Sequence, residues 1–166
     1  MKEEYLLTGK IEETNEPYAI AKIMGLKMCE AYNKQYRTKF ITVIAGNVYG
    51  PGEKQFDEGA HVIPSLIKKF YIAKKEKQEK VEIWGTGKPK RDFIYVDDLA
   101  SACIFLMENY EGNEVINIGT GKGESIRKIV KILKEISGFE GKIVYNKEMP
   151  DGAPVRILNI DKIKKL

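Results

Sequence analysis

Asn15-Glu16-Pro17-Tyr18-Ala19-Ile20-Ala21-Lys22-Ile23-Met24-Gly25 decides how this chain is read. Pro17 suits the first turn of a helix, where its missing N–H costs nothing. The residues after it predict that helix to about Tyr36. Tyr18 and Lys22 are four apart and share a face, with roughly 5–6 Å between Cβ atoms. Gly25 and Cys29 continue the face with small side chains, leaving room for a ligand along it. A free phenol has a pKa of about 10 and is a poor acid or base at neutral pH. A nearby ammonium favours the phenolate, and the phenol can then exchange a proton beside a carbonyl as hydride moves. A Tyr and a Lys at this spacing also arise by chance on many helices, so the flanking residues decide.

Those residues form an ordered set. Asn47-Val48-Tyr49-Gly50-Pro51 follows a strand-like run, and His61-Val62-Ile63-Pro64 opens a second helix-like segment. Trp84-Gly85-Thr86-Gly87 precedes Arg91-Asp92-Phe93-Ile94-Tyr95-Val96-Asp97-Asp98. Asn117-Ile118-Gly119-Thr120-Gly121 and Pro150-Asp151-Gly152 come last. In this order, from about Lys2 to Leu166, the chain resembles the extended short-chain dehydrogenase/reductase superfamily. Within it, the chain resembles enzymes that epimerise and reduce a GDP-linked keto sugar. The Tyr/Lys pair and the Asp-Asp stretch mark the superfamily. The Asn-Glu-Pro-Tyr-Ala-Ile-Ala-Lys run with a downstream His-Val-Ile-Pro is the narrower signature.

The resemblance implies an α/β fold: the C-terminal part of a Rossmann-type parallel sheet plus the smaller substrate-binding half. Residues 1–52 would end the dinucleotide-binding domain. Residues 53–166 would be mostly the substrate half, with Rossmann strands interleaved. The implied activity is epimerisation and NADPH-dependent reduction of GDP-4-keto-6-deoxymannose to GDP-L-fucose, with NADP(H) as cofactor. The implied setting is a cytoplasmic homodimer. Tyr18 would be the proton donor, Lys22 its partner and a holder of the nicotinamide ribose, and His61 the acid/base for epimerisation and a cofactor contact. Ala45, Gly46, Asn47 and Val48 would pass under the nicotinamide. Asn15, Asn47, Lys69, Trp84, Arg91 and Asp151 would meet the substrate. Lys69 stands where other members carry arginine; it keeps the charge and loses the bidentate fork.

Bulk composition is that of a globular chain and argues against several classes. At 166 residues, with 43% hydrophobic and 31% charged side chains, one globular domain with a real core is expected. No apolar run is long enough for a membrane span, and no signal-peptide pattern is present. One histidine and two separated cysteines give no metal-ligand spacing. Cys29 and Cys103 are expected reduced and buried. The net charge of +4 is spread over lysines interleaved with glutamates, as in Lys68 to Lys80. That pattern favours a solvated face over nucleic-acid binding. A diphosphate substrate would suit the excess charge, and a lysine-rich surface explains it equally.

Residues 1–16 read as a loop. Phe40 to Ala45 reads as a buried β-branched strand, and Ala45 to Gly52 as a glycine- and proline-punctuated loop. In open α/β sheets ligands bind at the carboxyl ends of strands, which makes this junction a site candidate. Residues 53–60 read as polar loop, and Val62 to about Lys77 as an amphipathic helix. On its residues alone, His61 is a side chain that titrates near neutrality or an idle histidine at a helix start. Val81–Trp84 and Arg91–Val96 read as strands, and Asp97 to about Asn109 as a helix with acids at its positive end. Trp84 is either core or a stacking surface beside a glycine turn. Val115–Ile118 and Lys142–Asn146 read as strands. Gly119-Thr120-Gly121-Lys122-Gly123-Glu124, with Glu148 further on, is the nearest approach to a dinucleotide fingerprint. It lacks the last glycine, and Ser125 can simply cap a helix to about Ser137.

The resembled enzymes open with a strand, a glycine-rich loop and a helix that hold the cofactor diphosphate. On the order of 100 residues of that half do not precede Tyr18 here. The catalytic serine and epimerase cysteine belong to the same stretch. The sequence is therefore expected to be a piece truncated at both ends. Two rivals remain: another NAD(P)-dependent nucleotide-sugar epimerase or dehydratase, and a non-catalytic nucleotide-sugar-binding remnant.

Overall fold

Pro17 does open a long helix. In the computed structural model, which describes residues 1–53 and 61–166, α1 runs Glu16–Tyr36 with Pro17 in its first turn. It ends at Arg37 in the left-handed conformation, φ 54°. Asn33 then turns the chain back: its amide donates to the Phe40 carbonyl (2.9 Å) and its oxygen accepts from the Phe40 N–H (2.8 Å). α1 buries only Leu26. Ile20, Met24, Met28, Tyr32 and Tyr36, each four residues from the last, stay exposed.

Two short strands follow, β1 (Val43–Ala45) and β2 (Asn47–Tyr49). Helix α2 (Val62–Lys75) leads to β3 (Lys80–Trp84). The chain continues through β4 (Lys90–Arg91), β5 (Phe93–Tyr95), α3 (Val96–Asn109) and β6 (Ile116–Ile118). Last come β7 (Glu124–Ser125), α4 (Ile126–Ser137), β8 (Lys142–Asn146) and β9 (Val155–Arg156). The pairs β1–β6, β2–β5, β3–β8 and β4–β9 are parallel, and β4–β7 is antiparallel. The fold is α/β with parallel strand pairs under helices.

Two cores hold it. In the first, Leu66, Phe70 and Ala73 of α2 and Val130 of α4 meet Val81 and Ile83 of β3 and Phe139. The β3 sequence Lys-Val-Glu-Ile-Trp alternates out and in, as a strand with one covered face must. In the second, Leu106 of α3 packs on Ile94 of β5 and on Ile116 and Ile118 of β6. No helix among the described residues is long and apolar enough to cross a membrane.

Several expectations need correction. The run from Phe40 is strand only from Val43, and it is half-buried with Ala45 exposed. Among the described residues β6 is its only strand partner. The expected loop after Ala45 contains β2, because at Gly46 the chain leaves β6 and joins β5. The Gly46 N–H still reaches the Ile118 carbonyl (2.9 Å), and the Asn47 N–H reaches Asp92 (2.7 Å). The strand expected at 91–96 breaks at Asp92 into β4 and β5. Residues 1–16 contain 3₁₀ turns at Glu3–Tyr5 and Glu13–Asn15 and are docked through Asn117, whose amide donates to Met1 (3.1 Å) and Asn159 (3.0 Å). Cys29 and Cys103 are free but only half-buried, and Cys103 packs against the second core. The loop expected at 53–60 lies, from residue 54 on, outside the described residues.

Candidate functional site

The Tyr18/Lys22 pair forms as the helical spacing requires. Lys22 Nζ lies 5.4 Å from the Tyr18 ring centroid, over the ring. Tyr18 is 67% exposed, and a Cβ built at Gly25 meets nothing within 4 Å. The face beside the phenol is therefore open, with a cation held against it.

The second group is the strand end. Ala45 and Asn47 are exposed and Val48 is half-buried. Here the chain changes partner from β6 to β5, so adjacent strand ends diverge. Divergence at carboxyl ends is the geometry that makes a crevice in α/β sheets. The Asn47 amide is fixed by donating to the Asp92 carbonyl at 3.0 Å.

The third group gathers residues far apart in sequence. Lys69 Nζ lies 5.4 Å from the Trp84 ring centroid and donates to the Glu82 carbonyl (2.9 Å). Burial pulls the Lys69 ammonium below its ordinary pKa, with Glu82 opposing. Trp84 is 61% exposed, so it is a presented aromatic surface and not core. Asp151 takes the next turn in both oxygens: Oδ1 accepts from the Thr86 N–H and Oδ2 from the Thr86 hydroxyl, each at 2.6 Å. These bonds, the hydroxyl's first, hold the Asp151 carboxyl below the usual range. Gly85 sits at φ +74°, and a Cβ there would lie 2.2 Å from Asp151, so the clamp closes only over glycine. Arg127 supports the same turn, donating to the Thr86 carbonyl (2.9 Å) with its guanidinium 4.8 Å from the Tyr145 ring centroid. Arg91 donates to the Ala153 carbonyl (2.7 Å); burial and then Arg156 depress its pKa, and Asp151 opposes.

Asn15 connects to this wall. Its amide donates to Glu12 (2.8 Å), and Glu12 pairs with Arg156 at 3.5 Å. His61 stands at the N-cap of α2, exposed; its carbonyl accepts from the Ser65 N–H (3.0 Å) and its imidazole makes no cap bond. Among the described residues no hydrogen bond or ring contact joins Tyr18, Lys22 or His61 to the other two groups. Two open clefts of about 800 and 700 Å³ are lined by none of the candidate residues.

The glycine loop after β6 is not a phosphate cradle. The Thr120 and Gly121 N–H groups donate to the Asp92 carboxylate (2.9 and 3.2 Å). Ser125 caps α4 by accepting from the Lys128 N–H (3.2 Å). Asp92, Thr86 and Thr120 were not singled out by sequence reasoning. The available signal was an aspartate inside a run of strand-forming residues, where it is disfavoured unless it has a fixed job. No group of three potential metal ligands exists among the described residues.

The parallel strand pairs under helices and the Tyr-x-x-x-Lys helix agree with one family. The chain belongs to the NAD dependent epimerase/dehydratase family, whose profile matches residues 1–119. It is 44% identical over 164 residues to a probable GDP-L-fucose synthase 1 from Oryza sativa subsp. japonica, covering 99% of this chain and 50% of the relative. It superposes on a GDP-L-fucose synthetase from Naegleria fowleri bound to NADP with TM-score 0.93 and 28% identity, covering 99% of this chain and 53% of the other. A GDP-6-OMe-4-keto-L-xylo-heptose reductase from C. jejuni matches with TM-score 0.90 and 35% identity, covering 99% and 59%. The chain spans about half the length of the curated relatives it matches.

Proposed function

We propose that this chain is the Tyr/Lys-bearing and substrate-binding part of a GDP-L-fucose synthase, acting on GDP-4-keto-6-deoxymannose with NADPH. The observation that carries the reading is the exposed Tyr18 phenol with the Lys22 ammonium against its ring. The relatives named above support it, as does the presented Trp84/Lys69 surface. The core around α3 is read as the end of the cofactor half, and the α2/α4 core as the substrate half.

NADPH, when bound, supplies hydride to the 4-keto carbon. The residues present fit the nicotinamide end of such a cofactor: Ala45 and Asn47 are exposed where strand ends diverge, and Lys22 offers a cation. Tyr18 gives its proton to the ketone oxygen, and Lys22 holds the phenolate left behind. His61 takes or returns a proton at the carbons flanking the ketone, where the carbonyl acidifies the C–H bonds. Trp84 offers a ring face to the base, and Arg91 with Lys69 offers charge to the diphosphate. Asp151 meets the substrate from the clamped turn, and Asn15 and Asn47 meet the sugar.

The test is turnover of GDP-4-keto-6-deoxymannose with NADPH in deuterated water by the full-length gene product carrying this sequence. Deuterium at both carbons flanking the ketone, NADPH oxidation and GDP-L-fucose are the expected result. Deuterium without NADPH oxidation would make the protein an epimerase, and neither would refute the reading. Because the Gly119 loop spends its donors on Asp92, the 166-residue chain alone should show no calorimetric NADPH binding. Its binding of GDP should be weak at best.

A further inference from the structure

We infer that Asp92 is the positioning residue that sets the orientation of the Asn47 side chain at the strand end where the chain passes from β6 to β5, an inference that rests on the site reading above. Asp92 is 1% exposed, and every polar atom it has is engaged. Oδ1 accepts from the Thr120 N–H (2.9 Å) and hydroxyl (2.6 Å). Oδ2 accepts from the Gly121 N–H (3.2 Å) and the Leu158 N–H (3.4 Å). The Asp92 N–H donates to the Arg156 carbonyl (3.0 Å). Its carbonyl accepts twice from one residue, the N–H (2.7 Å) and the side-chain amide (3.0 Å) of Asn47.

The chemistry selects a carboxylate. Three N–H groups and one hydroxyl converge on the side chain, with at least one N–H at each oxygen, so both oxygens must accept. Asparagine would turn an N–H₂ toward N–H groups, and a hydrophobic residue would orphan buried donors. The closeness is built in at Gly119, where a Cβ would lie 2.6 Å from Oδ2. The anchor acts on Asn47 through the backbone. With the carboxylate pinned to the loop after β6 and to the tail, the Asp92 carbonyl is fixed at the point where β4 gives way to β5. A carbonyl accepts only from the N–H₂ end of an amide, so the Asn47 orientation is determined. Among the described residues its oxygen and its second N–H make no hydrogen bond and can meet a ligand.

The test is a double-mutant cycle on kcat and KM in the full-length gene product. Asp92→Asn and the milder Thr120→Val are each combined with Asn47→Ala. If Asp92 acts through Asn47, Asp92→Asn lowers kcat/KM by about tenfold or more in the wild-type background. It then has little further effect once Asn47 is alanine, because sites that share one interaction are not additive. Thr120→Val, which keeps the backbone donors, shows the same pattern at a smaller size and covers the case in which Asp92→Asn does not fold. Effects that multiply in both cycles would make Asp92 a staple of the fold only and overturn the inference. A second readout is independent of turnover: the heteronuclear NOE of the Asn47 side-chain amide. It should fall in Thr120→Val toward that of the exposed Asn113. An unchanged value overturns the positioning role even if the enzyme is active. A fallen value in an inactive protein supports positioning while the site's function fails.

Discussion

Phe70→Ala should be the most costly apolar truncation in the α2/α4 core. Phe70 is 1% exposed, and its ring stands edge-on to Phe139 with centroids 5.8 Å apart. Truncation removes the ring's transfer free energy and leaves a cavity between α2 and β3, together about 3–5 kcal/mol for a buried phenylalanine. That total includes the aromatic pair, worth about 0.5–1.5 kcal/mol. Stabilities of domains are about 5–15 kcal/mol, so roughly a fifth or more of the margin is at stake. For a chain of this size each kcal/mol moves Tm by about 2–4 °C, giving a fall of about 6–20 °C. The assay is guanidinium unfolding followed by circular dichroism, reading a lower midpoint at constant slope. Tyr71→Ala is the control, because Tyr71, one residue on, is 61% exposed and should change stability by no more than about 0.5 kcal/mol. A Phe70→Ala loss below about 1 kcal/mol, or an equal loss for Tyr71→Ala, would refute the packing argument.

Other outcomes follow from the site. Tyr18→Phe in the full-length protein should lower reductive turnover by about 10²–10⁴-fold, and a rate within about threefold of wild type would remove Tyr18 as proton donor. Lys22→Met should do similar harm and also weaken NADPH binding, read by fluorescence titration. His61→Asn should slow solvent-deuterium entry into the sugar and leave NADPH affinity nearly intact; unchanged exchange would leave His61 a helix-start residue only. The Asp151 carboxyl is depressed by Thr86, so its stabilising contribution is present above the ordinary aspartate pKa of about 3.9 and lost as pH falls through its lower folded value. The stability gap between wild type and Asp151→Asn should be flat from about pH 5 to 8 and close below about pH 4.

Local signals in the sequence translated well where one residue's chemistry settles the matter. Pro17 marked the start of α1, Ser125 marked the cap of α4, and the Lys80–Trp84 alternation marked a one-sided strand. The Tyr18/Lys22 contact followed from helical spacing alone. What stayed hidden depended on partners distant in the chain. Nothing near Gly46 announces that the strand will trade β6 for β5. The Phe40 to Ala45 run read as a buried strand because it is β-branched and apolar, yet burial depends on what covers its faces and edges. Asp151 read as a substrate contact, and its grip on Thr86 depends on a turn more than sixty residues away. Asp92 sat inside a quoted motif without a role, since its four donors come from two distant segments.

The strand pairs also govern how the molecule must assemble. Val43 pairs with Ile116, and between them the chain runs out to build α2 and β3 of the other core. Lys80 pairs with Lys142 only after β5, α3 and β6 have been laid down. The two cores are thus threaded through one another, and no single cut releases either as an uninterrupted segment. Every parallel pairing must close a long loop before it returns any contact energy, which places this topology among slow folders. The same threading couples the cores in unfolding. A lesion such as Phe70→Ala should therefore melt the α3 side together with the α2/α4 side, in one transition.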